Sequence, residues 1–206
     1  MLERVELRDK SVRLKPSQML RKRVHALLDE LNVQYVGTVV HSLGVVLSVL
    51  TLTHFHGGEV HQGRDGSALY VANFVALIFC PAQGETLEGR ICHSNESGLR
   101  VSLGFFSDIV VPVDGLPAPR QYNSNDAVWS WLPEGDGGAR LPMTLGDDVR
   151  LMVDSVTFPE HPESPNEVGK LDPNYGGTPS GAFAHMVVIA TVNDDGLGCT
   201  SWWQYA

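Results

Sequence analysis

The chain has 206 residues, 43% of them hydrophobic, which is enough to bury one large core or two small ones. No run of about 18 apolar residues is present to span a bilayer, and the charged start MLERVELRDK does not resemble a secretion signal, so we expect an intracellular protein. Residues 1–84 hold 9 Lys and Arg against 7 Asp and Glu (net +2), whereas residues 85–206 hold 6 against 17 (net −11), so the second half lacks the basic footprint of a nucleic-acid-binding surface.

The first 32 residues predict a strand and a helix. ERVELRDKSVRL alternates apolar and polar residues around a charged bend at Asp9 and Lys10, a pattern typical of a half-buried strand with an interruption. A helix is predicted over 16–32, because Pro16 suits a first turn and apolar residues recur at helical spacing. These residues are Leu20, Val24, Leu27, Leu28 and Leu31. The basic triplet Arg21–Arg23 is interpreted as a solvated face.

Strands dominate the chain up to residue 80. The runs YVGTVV, GVVLSVLTL and ALYVANFVALIFCP are rich in β-branched residues, and the glycine-rich HGGEVHQGRDGS between the last two predicts a hairpin tip. Together with the helix they predict an α+β domain over 1–82 that ends near the break PAQGE.

The second half predicts an all-β domain over 83–206. Five short strands are predicted in TLEGRI, GLRVSL, DIVVPV, DDVRLMVDSV and AHMVVIATV, and a closed five-stranded OB-fold barrel removes their free edges. Residues 159–184 are rich in Pro, Gly and acidic residues and nearly free of aliphatic ones, which predicts a mobile loop.

No motif for catalysis or for a cofactor is evident. The chain lacks a nucleophile elbow, a Walker loop and a zincin motif, and its three cysteines are too far apart to indicate a disulfide framework or a thiolate zinc site. His54, His56 and His61 raise the hypothesis of a metal site, but no cysteine or acid completes a ligand set, so we favour surface histidines.

The predicted barrel offers one face for RNA. Strand alternation directs Ile91, Leu99, Val101 and Leu103 inward and Arg90, Cys92, Arg100 and Ser102 outward. Of the adjacent phenylalanines, one can cap the core while the other faces out to stack on a base; the alternative is that both are packed. The candidate RNA contacts are Arg90, Arg100, Phe105 and Phe106.

The four tryptophans form two sequence-local pairs. Trp129 and Trp131 flank one serine, and Trp202 and Trp203 are adjacent. The pair near the end of the chain is expected to be buried, either on a partner protein or against the chain's own barrel.

Several stretches together resemble one known family. VSLGFFSDIVVP, the VWSW that follows it and GLGCTSWW near the end are similar to the larger stalk subunit of eukaryotic RNA polymerase III, which has a counterpart in the archaeal polymerase. In the first half, VELRDKSVRLKP and GRDGSALYVANFVALIFCP occur in the family's order. The resemblance implies an N-terminal ribonucleoprotein-like tip domain followed by an S1-type OB-fold barrel.

The resemblance also implies a function without catalysis and without a cofactor. It implies a nuclear protein that forms a heterodimer with a smaller helical stalk subunit, docks on the polymerase III core and supports transcription initiation. Initiation factors and, weakly, nascent RNA are the further partners it implies; no membrane is among them.

The resemblance implies that the tip loop GEVHQGRDGSA is the loop with which family members dock on the polymerase core. The residues that the resemblance assigns to docking on the core are Val60, Gly63, Asp65, Gly66 and Ala68. A tip that enters a crevice needs close backbone approach, which glycine allows.

One alternative has a different function class. A free OB-fold RNA-binding module, acting in translation or RNA decay, uses the same barrel but is expected to carry a basic stripe. The net charge of −11 over residues 85–206 favours the polymerase stalk protein.

Overall fold

The computed structural model describes residues 1–60, 65–133, 140–159 and 184–203. The chain divides into two compact units, Met1–Cys80 and Pro81–Ala206. The loop predicted to be mobile at 159–184 lies, except for its two end residues, outside the described residues. None of the helices in the described part is long and apolar enough to cross a membrane.

The first unit is an antiparallel sheet with one helix. In chain order its elements are β1 (Leu2–Leu14), α1 (Arg23–Tyr35), β2 (Val39–Val40), β3 (Gly44–Val60) and β4 (Ala68–Phe79). The strands lie in the order β1-β4-β3-β2, and α1 packs on β1 and β3. Alternate residues of β4 are buried, among them Phe74 and Ile78, and they form a core with Leu27 and Leu31 of α1. The prediction of an α+β unit is confirmed.

The predicted bend in β1 is confirmed. Asp9 has a φ of 52°, and the pairing of β1 with β4 shifts between Leu7 and Lys10. The Asp9 amide donates a hydrogen bond of 2.8 Å to the Asn73 side chain, so the bulge is held from the neighbouring strand.

The predicted start of the helix is wrong. The helix begins at Arg23 rather than Pro16, because residues 15–21 form successive turns instead, such as the one closed by the Met19 amide on the Pro16 carbonyl (3.2 Å). Leu20 is therefore 91% exposed and Val24 43% exposed, although the spacing placed both on the buried face.

The predicted extent of the strands also needs correction. β3 continues through HGGEV, which was expected to be a turn, because Gly57 (φ 94°) lets the strand bulge between Gly57 and Glu59 while it stays paired with β4. Of YVGTVV, Val39–Val40 is the part that forms a strand.

The second unit is built around a closed barrel. In chain order its strands are β5 (Thr86–Asn95), β6 (Gly98–Ser102), β7 (Ile109–Pro112), β8 (Arg120–Asn123), β9 (Val128–Trp131), β10 (Leu141–Met143), β11 (Asp148–Thr157), β12 (Val187–Thr191) and β13 (Gly198–Cys199). β5, β6, β7, β12 and β11 pair in that order, and β11 pairs back with β5. β7 and β12 run parallel, as Val188 opposite Ile109 shows. This is the closed five-stranded OB-fold barrel predicted from the sequence.

A second sheet, which the strand pattern did not predict, is inserted between β7 and β11. It has the order β10-β9-β8, and VWSW forms its central strand β9. The described residues of this unit also form 3-10 turns at Val113–Gly115 and Thr200–Trp203.

Candidate functional site

The outer face of β5 and β6 carries a groove of about 710 Å³. It lies where the sequence pattern placed the RNA-contact face. Its lining residues are Glu88, Gly89, Arg90, Ile91, Cys92, Ser102, Leu103, Gly104, Asp148 and Thr200.

The cations beside this groove are matched by carboxylates. Arg90 Nε lies 3.1 Å from Asp148 Oδ1, and Arg150 Nη2 lies 2.8 Å from Glu88 Oε1. All four side chains are largely exposed, so the ion pairs add little stability. Their effect is that the groove presents mixed charge rather than a basic stripe.

Arg100 is not exposed to solvent, so the prediction that it forms part of an open RNA-contact face is wrong. The residue is 7% exposed, and its Nη1 lies 3.4 Å from Asp108 Oδ1. Both faces of β6 are covered, since residues 98–101 are all buried. Burial raises the pKa of Asp108, and the Arg100 guanidinium acts in the opposite direction. Arg100 is thus a buried partner of Asp108 and not a surface cation.

Of the two alternatives for the adjacent phenylalanines, the structure shows one ring buried and one exposed, so the alternative that both are packed is wrong. Phe106 is 7% exposed and Phe105 is 53% exposed. A tight turn separates them from β6: the Leu103 amide donates to the Phe106 carbonyl at 2.8 Å, and Gly104 has a φ of 90°. Of the four candidate RNA contacts, Arg90 and Phe105 are the accessible ones.

The tryptophans do not pair as sequence neighbours. The rings in contact are Trp131 and Trp202, with centroids 5.6 Å apart. Trp129 is 7% exposed, contacts Tyr122 at a centroid distance of 5.0 Å and donates from Nε1 to the Asn95 carbonyl at 2.8 Å. Trp129 therefore packs on the chain's own barrel unit.

The described part of the tip loop is ordered by polar contacts. Arg13 Nη2 lies 2.6 Å from Asp65 Oδ2 and Arg13 Nε donates to Ser67 Oγ at 2.6 Å. Val60 is 62% exposed and Asp65 and Gly66 are exposed, whereas Ala68 is buried. Gly63 lies outside the described residues.

Of the histidines predicted as surface groups, His54 and His56 are exposed. The rings of His54 and His56 have centroids 5.9 Å apart on β3, and His61 lies outside the described residues. Within the described ranges, no group of three or more His, Cys, Asp or Glu is placed to hold a metal ion.

Two family models match the chain. The model for RNA polymerase III subunit Rpc25 matches residues 85–203, and the model for the SHS2 domain found in the N terminus of Rpb7p and Rpc25p matches residues 9–66. The first covers more than half of the chain. The chain belongs to the family of RNA polymerase III subunit Rpc25.

Curated relatives match the Rpc25-family chain over nearly its full length. The DNA-directed RNA polymerase III subunit RPC8 of Bos taurus is 30% identical over 200 residues, which is 97% of each chain. The corresponding subunit of Schizosaccharomyces pombe is 28% identical over 94% of this chain and 95% of its own. The archaeal DNA-directed RNA polymerase subunit Rpo7 of Saccharolobus shibatae is 29% identical over 70% of this chain and 77% of its own. The resemblance noted in the sequence is confirmed.

The Rpc25 match contains features that sequence reasoning missed. It spans the whole barrel, the inserted sheet and the tryptophans at 202 and 203. The spacing of VWSW and SWW gave no sign of the contact between Trp131 and Trp202, because the two lie far apart in sequence. Asp108 was also missed, although a carboxylate two residues after Phe106 is near enough along the chain to pair with a buried arginine on β6.

Proposed function

We propose that the chain is a non-catalytic stalk subunit of the nuclear DNA-directed RNA polymerase III. The observation that carries the proposal is the match of the Rpc25 model to residues 85–203. Relatives matched over 94% and 97% of this chain are named as subunits of that polymerase. The chain acts through binding to other subunits and requires no cofactor of its own.

The experiment that tests this proposal is affinity purification of the tagged chain from its own cells, followed by mass spectrometry. Core subunits of polymerase III and a small helical subunit are expected in comparable amounts. Recovery of ribosomes or decay factors in their place contradicts the proposal and favours the free RNA-binding module.

The tip loop is the proposed contact with the polymerase core. Val60 supplies an exposed apolar side chain, and Asp65 is fixed in place by Arg13 at 2.6 Å. The variant Val60→Asp is expected to lower recovery of the core subunits strongly. Leu20→Asp is the matched control, because Leu20 is also an exposed apolar residue of the same unit. Equal recovery with both variants contradicts the assignment.

A heterodimer with a smaller helical subunit is the second part of the proposal. Exposed aliphatic side chains support it, such as Val33 (80% exposed) and Val36 (43%) of the first unit. Obligate interfaces are more apolar than ordinary surface. Co-expression with the small stalk subunit is expected to raise the soluble yield and to give one peak of 1:1 composition in size-exclusion chromatography. Separate elution of the two proteins contradicts this part.

The role in initiation is tested with polymerase III that lacks the chain. Transcription from a promoter with its initiation factors is expected to fall strongly and to return when the purified chain is added. Transcription from a tailed template, which needs no initiation factor, is expected to change little. An equal loss on both templates contradicts a role in initiation.

Contact with nascent RNA is proposed to be weak. Phosphate attraction normally supplies much of RNA affinity, and the groove pairs its arginines with carboxylates. Arg90→Gln with Phe105→Ala is expected to reduce cross-linking of emerging RNA to the chain, whereas the exposed control Arg21→Gln is expected to leave it unchanged. Unchanged cross-linking in the double variant contradicts the proposed contact.

A further inference from the structure

A second groove lies on the barrel unit and shares no lining residue with the β5–β6 face. We call it the tryptophan groove; it has a volume of about 110 Å³. Its aromatic walls are Trp131, Trp202 and Trp203, and Asp194 and Asp195 line it as well. A water molecule in the liquid takes up about 30 Å³, so the groove has the volume of roughly four waters. This is room for about one small apolar side chain.

The three indole rings of the tryptophan groove are held by contacts within the chain. Trp131 Nε1 donates to the Ala118 carbonyl at 3.3 Å, and Trp203 Nε1 donates to the Leu197 carbonyl at 3.3 Å. The ring of Trp202 lies directly on Gly198, where an added Cβ would be 2.5 Å from the ring. The aromatic surface is therefore already in place before a ligand binds, which lowers the entropic cost of binding.

The turn after β12 places two carboxylates at this surface. The Leu197 amide donates to the Asp194 carbonyl at 3.1 Å, and Gly196 allows the turn with a φ of 79°. Asp194 and Asp195 are exposed, and neither is in an ion pair with another residue of the described ranges. Their negative charge is therefore available to a ligand.

A neighbouring groove extends the same surface. It has a volume of about 410 Å³, shares Asp194 with the tryptophan groove and adds Asp114, Asp154 and the partly buried Met152 and Ile189. Arg120 is placed nearby, but its Nη2 lies 3.5 Å from Asp114 Oδ1 and its Nη1 donates to the Leu116 carbonyl at 2.9 Å. The combined surface has an apolar floor and a negative rim.

We propose that the tryptophan groove docks a basic, extended peptide segment of another protein. A proline or aliphatic side chain of that segment lies against Trp131 and Trp203, and flanking Lys or Arg side chains pair with Asp194 and Asp195. Charge complementarity selects this occupant, because the carboxylates repel the phosphates of RNA. Tryptophan supplies a large apolar contact at low entropic cost, as at interface hot spots.

The test measures peptide binding to the full chain by fluorescence anisotropy. The probe is a labelled synthetic peptide with a central Pro-Leu-Pro flanked by two arginines on each side, and the matched control peptide has glutamates in place of the arginines. Binding of the arginine peptide alone is expected, and its Kd is expected to rise about tenfold between about 50 and about 300 mM salt. Equal binding of both peptides, or binding of neither, overturns the proposal.

Two variants test the assigned residues separately. Trp203→Ala is expected to raise the Kd about tenfold. Asp194→Asn with Asp195→Asn is expected to raise it by a similar factor and to remove most of the salt dependence, and these exposed turn positions keep the fold intact. The control Glu96→Gln removes an exposed carboxylate from the β5–β6 turn and is expected to leave the Kd unchanged. Unchanged binding in the aspartate variant overturns the proposal.

Two other occupants are separated by the same preparation. Displacement of the peptide by single-stranded oligouridylate assigns the groove to RNA. A dimer in sedimentation that Trp203→Ala dissociates assigns the groove to a second copy of the chain. Either result overturns the proposal. Peptide binding does not depend on assembly with a polymerase, so its failure leaves the proposed function intact.

Discussion

Arg100 and Asp108 form a nearly dry ion pair on the barrel unit. Their side chains are 8% and 18% exposed, and the two charged groups lie 3.4 Å apart. Removal of one partner leaves the other charge buried without compensation, which is more costly than the pair itself. Arg100→Met is therefore expected to lower the free energy of unfolding by about 3 kcal/mol in urea denaturation. A loss no larger than that of the exposed control Arg90→Met contradicts this view of the pair.

The same pair predicts a pH dependence. Burial raises the pKa of Asp108 above its ordinary 3.8, and Arg100 opposes that shift. Because the pKa of Asp108 is raised in the folded state, protonation of this carboxyl favours folding. Its contribution to the free energy of unfolding is fully present below the ordinary pKa and is lost as pH rises through the folded-state pKa. The cost of Arg100→Met is thus expected to be larger at neutral than at acidic pH, because Asp108 is then ionised, and this difference is expected to become smaller when Asp108→Asn is added. Persistence of the full difference in the double variant contradicts the assignment to Asp108.

The cysteines are expected to differ in reactivity. Cys199 is buried, and burial, with a smaller effect of Asp147, raises the pKa of its thiol to about 12. At pH 8 roughly one molecule in ten thousand then carries the thiolate that reacts with an alkylating agent. Cys92 is exposed. Peptide mapping after brief treatment with iodoacetamide is expected to find Cys92 modified before Cys199, and the reverse order contradicts the described burial.

Gly98, the first residue of β6, and Gly104, in the turn after β6, test how the β5–β6 hairpin and its following turn are built. Gly98 has a φ of 139°, and a Cβ there would lie 2.1 Å from the Val111 carbonyl oxygen on β7. Gly98→Ala is expected to lower the free energy of unfolding by more than about 2 kcal/mol, because strand β6 must move. Gly104 also has a positive φ, 90°, but its Cβ would meet nothing within 4 Å.

Gly104→Ala is the matched control for this prediction. It is expected to cost about 1 kcal/mol from the left-handed backbone alone. Thermal and urea denaturation of both variants measure the difference, and equal losses contradict the close approach of β6 to β7.

The strands of the barrel could be predicted because their pattern is local. Each has a short run of β-branched residues bounded by turn residues, and pairing of such strands into a closed barrel satisfies every edge. The start of α1 could not be predicted in this way, since Pro16 suits a first helical turn and a tight turn equally well. The turns at 15–21 depend on tertiary contacts such as that between Gln18 Nε2 and Glu30 Oε2 (2.6 Å).

The inserted sheet and the candidate sites depend on contacts distant in sequence. β9 is four residues long, and its strand character comes from pairing with β8 and β10. Arg100 was misplaced because alternation assumes an open outer face on β6, and that face is covered. The tip residues were assigned by the family resemblance, and Phe105 was assigned by its position next to Phe106. Contact of the tip with the polymerase core and contact of Phe105 with RNA stay predictions.

At the scale of the whole molecule, the chain combines two units of different net charge, and each unit is matched by a family model. The Rpc25 model covers the acidic barrel half and the SHS2 model covers most of the first unit. A net charge of −9 opposes nonspecific attraction to nucleic acid and suits a protein that binds through selected protein surfaces. Both features agree with a protein that belongs to a polymerase assembly.

The measurement that tests this claim most directly is the amount of this chain in polymerase III purified through a tag on its largest subunit. Quantitative mass spectrometry gives the molar ratio of the two proteins after a wash at high salt. Membership of the assembly predicts a ratio near one. A trace amount, in a preparation where the other core subunits are equimolar, contradicts it.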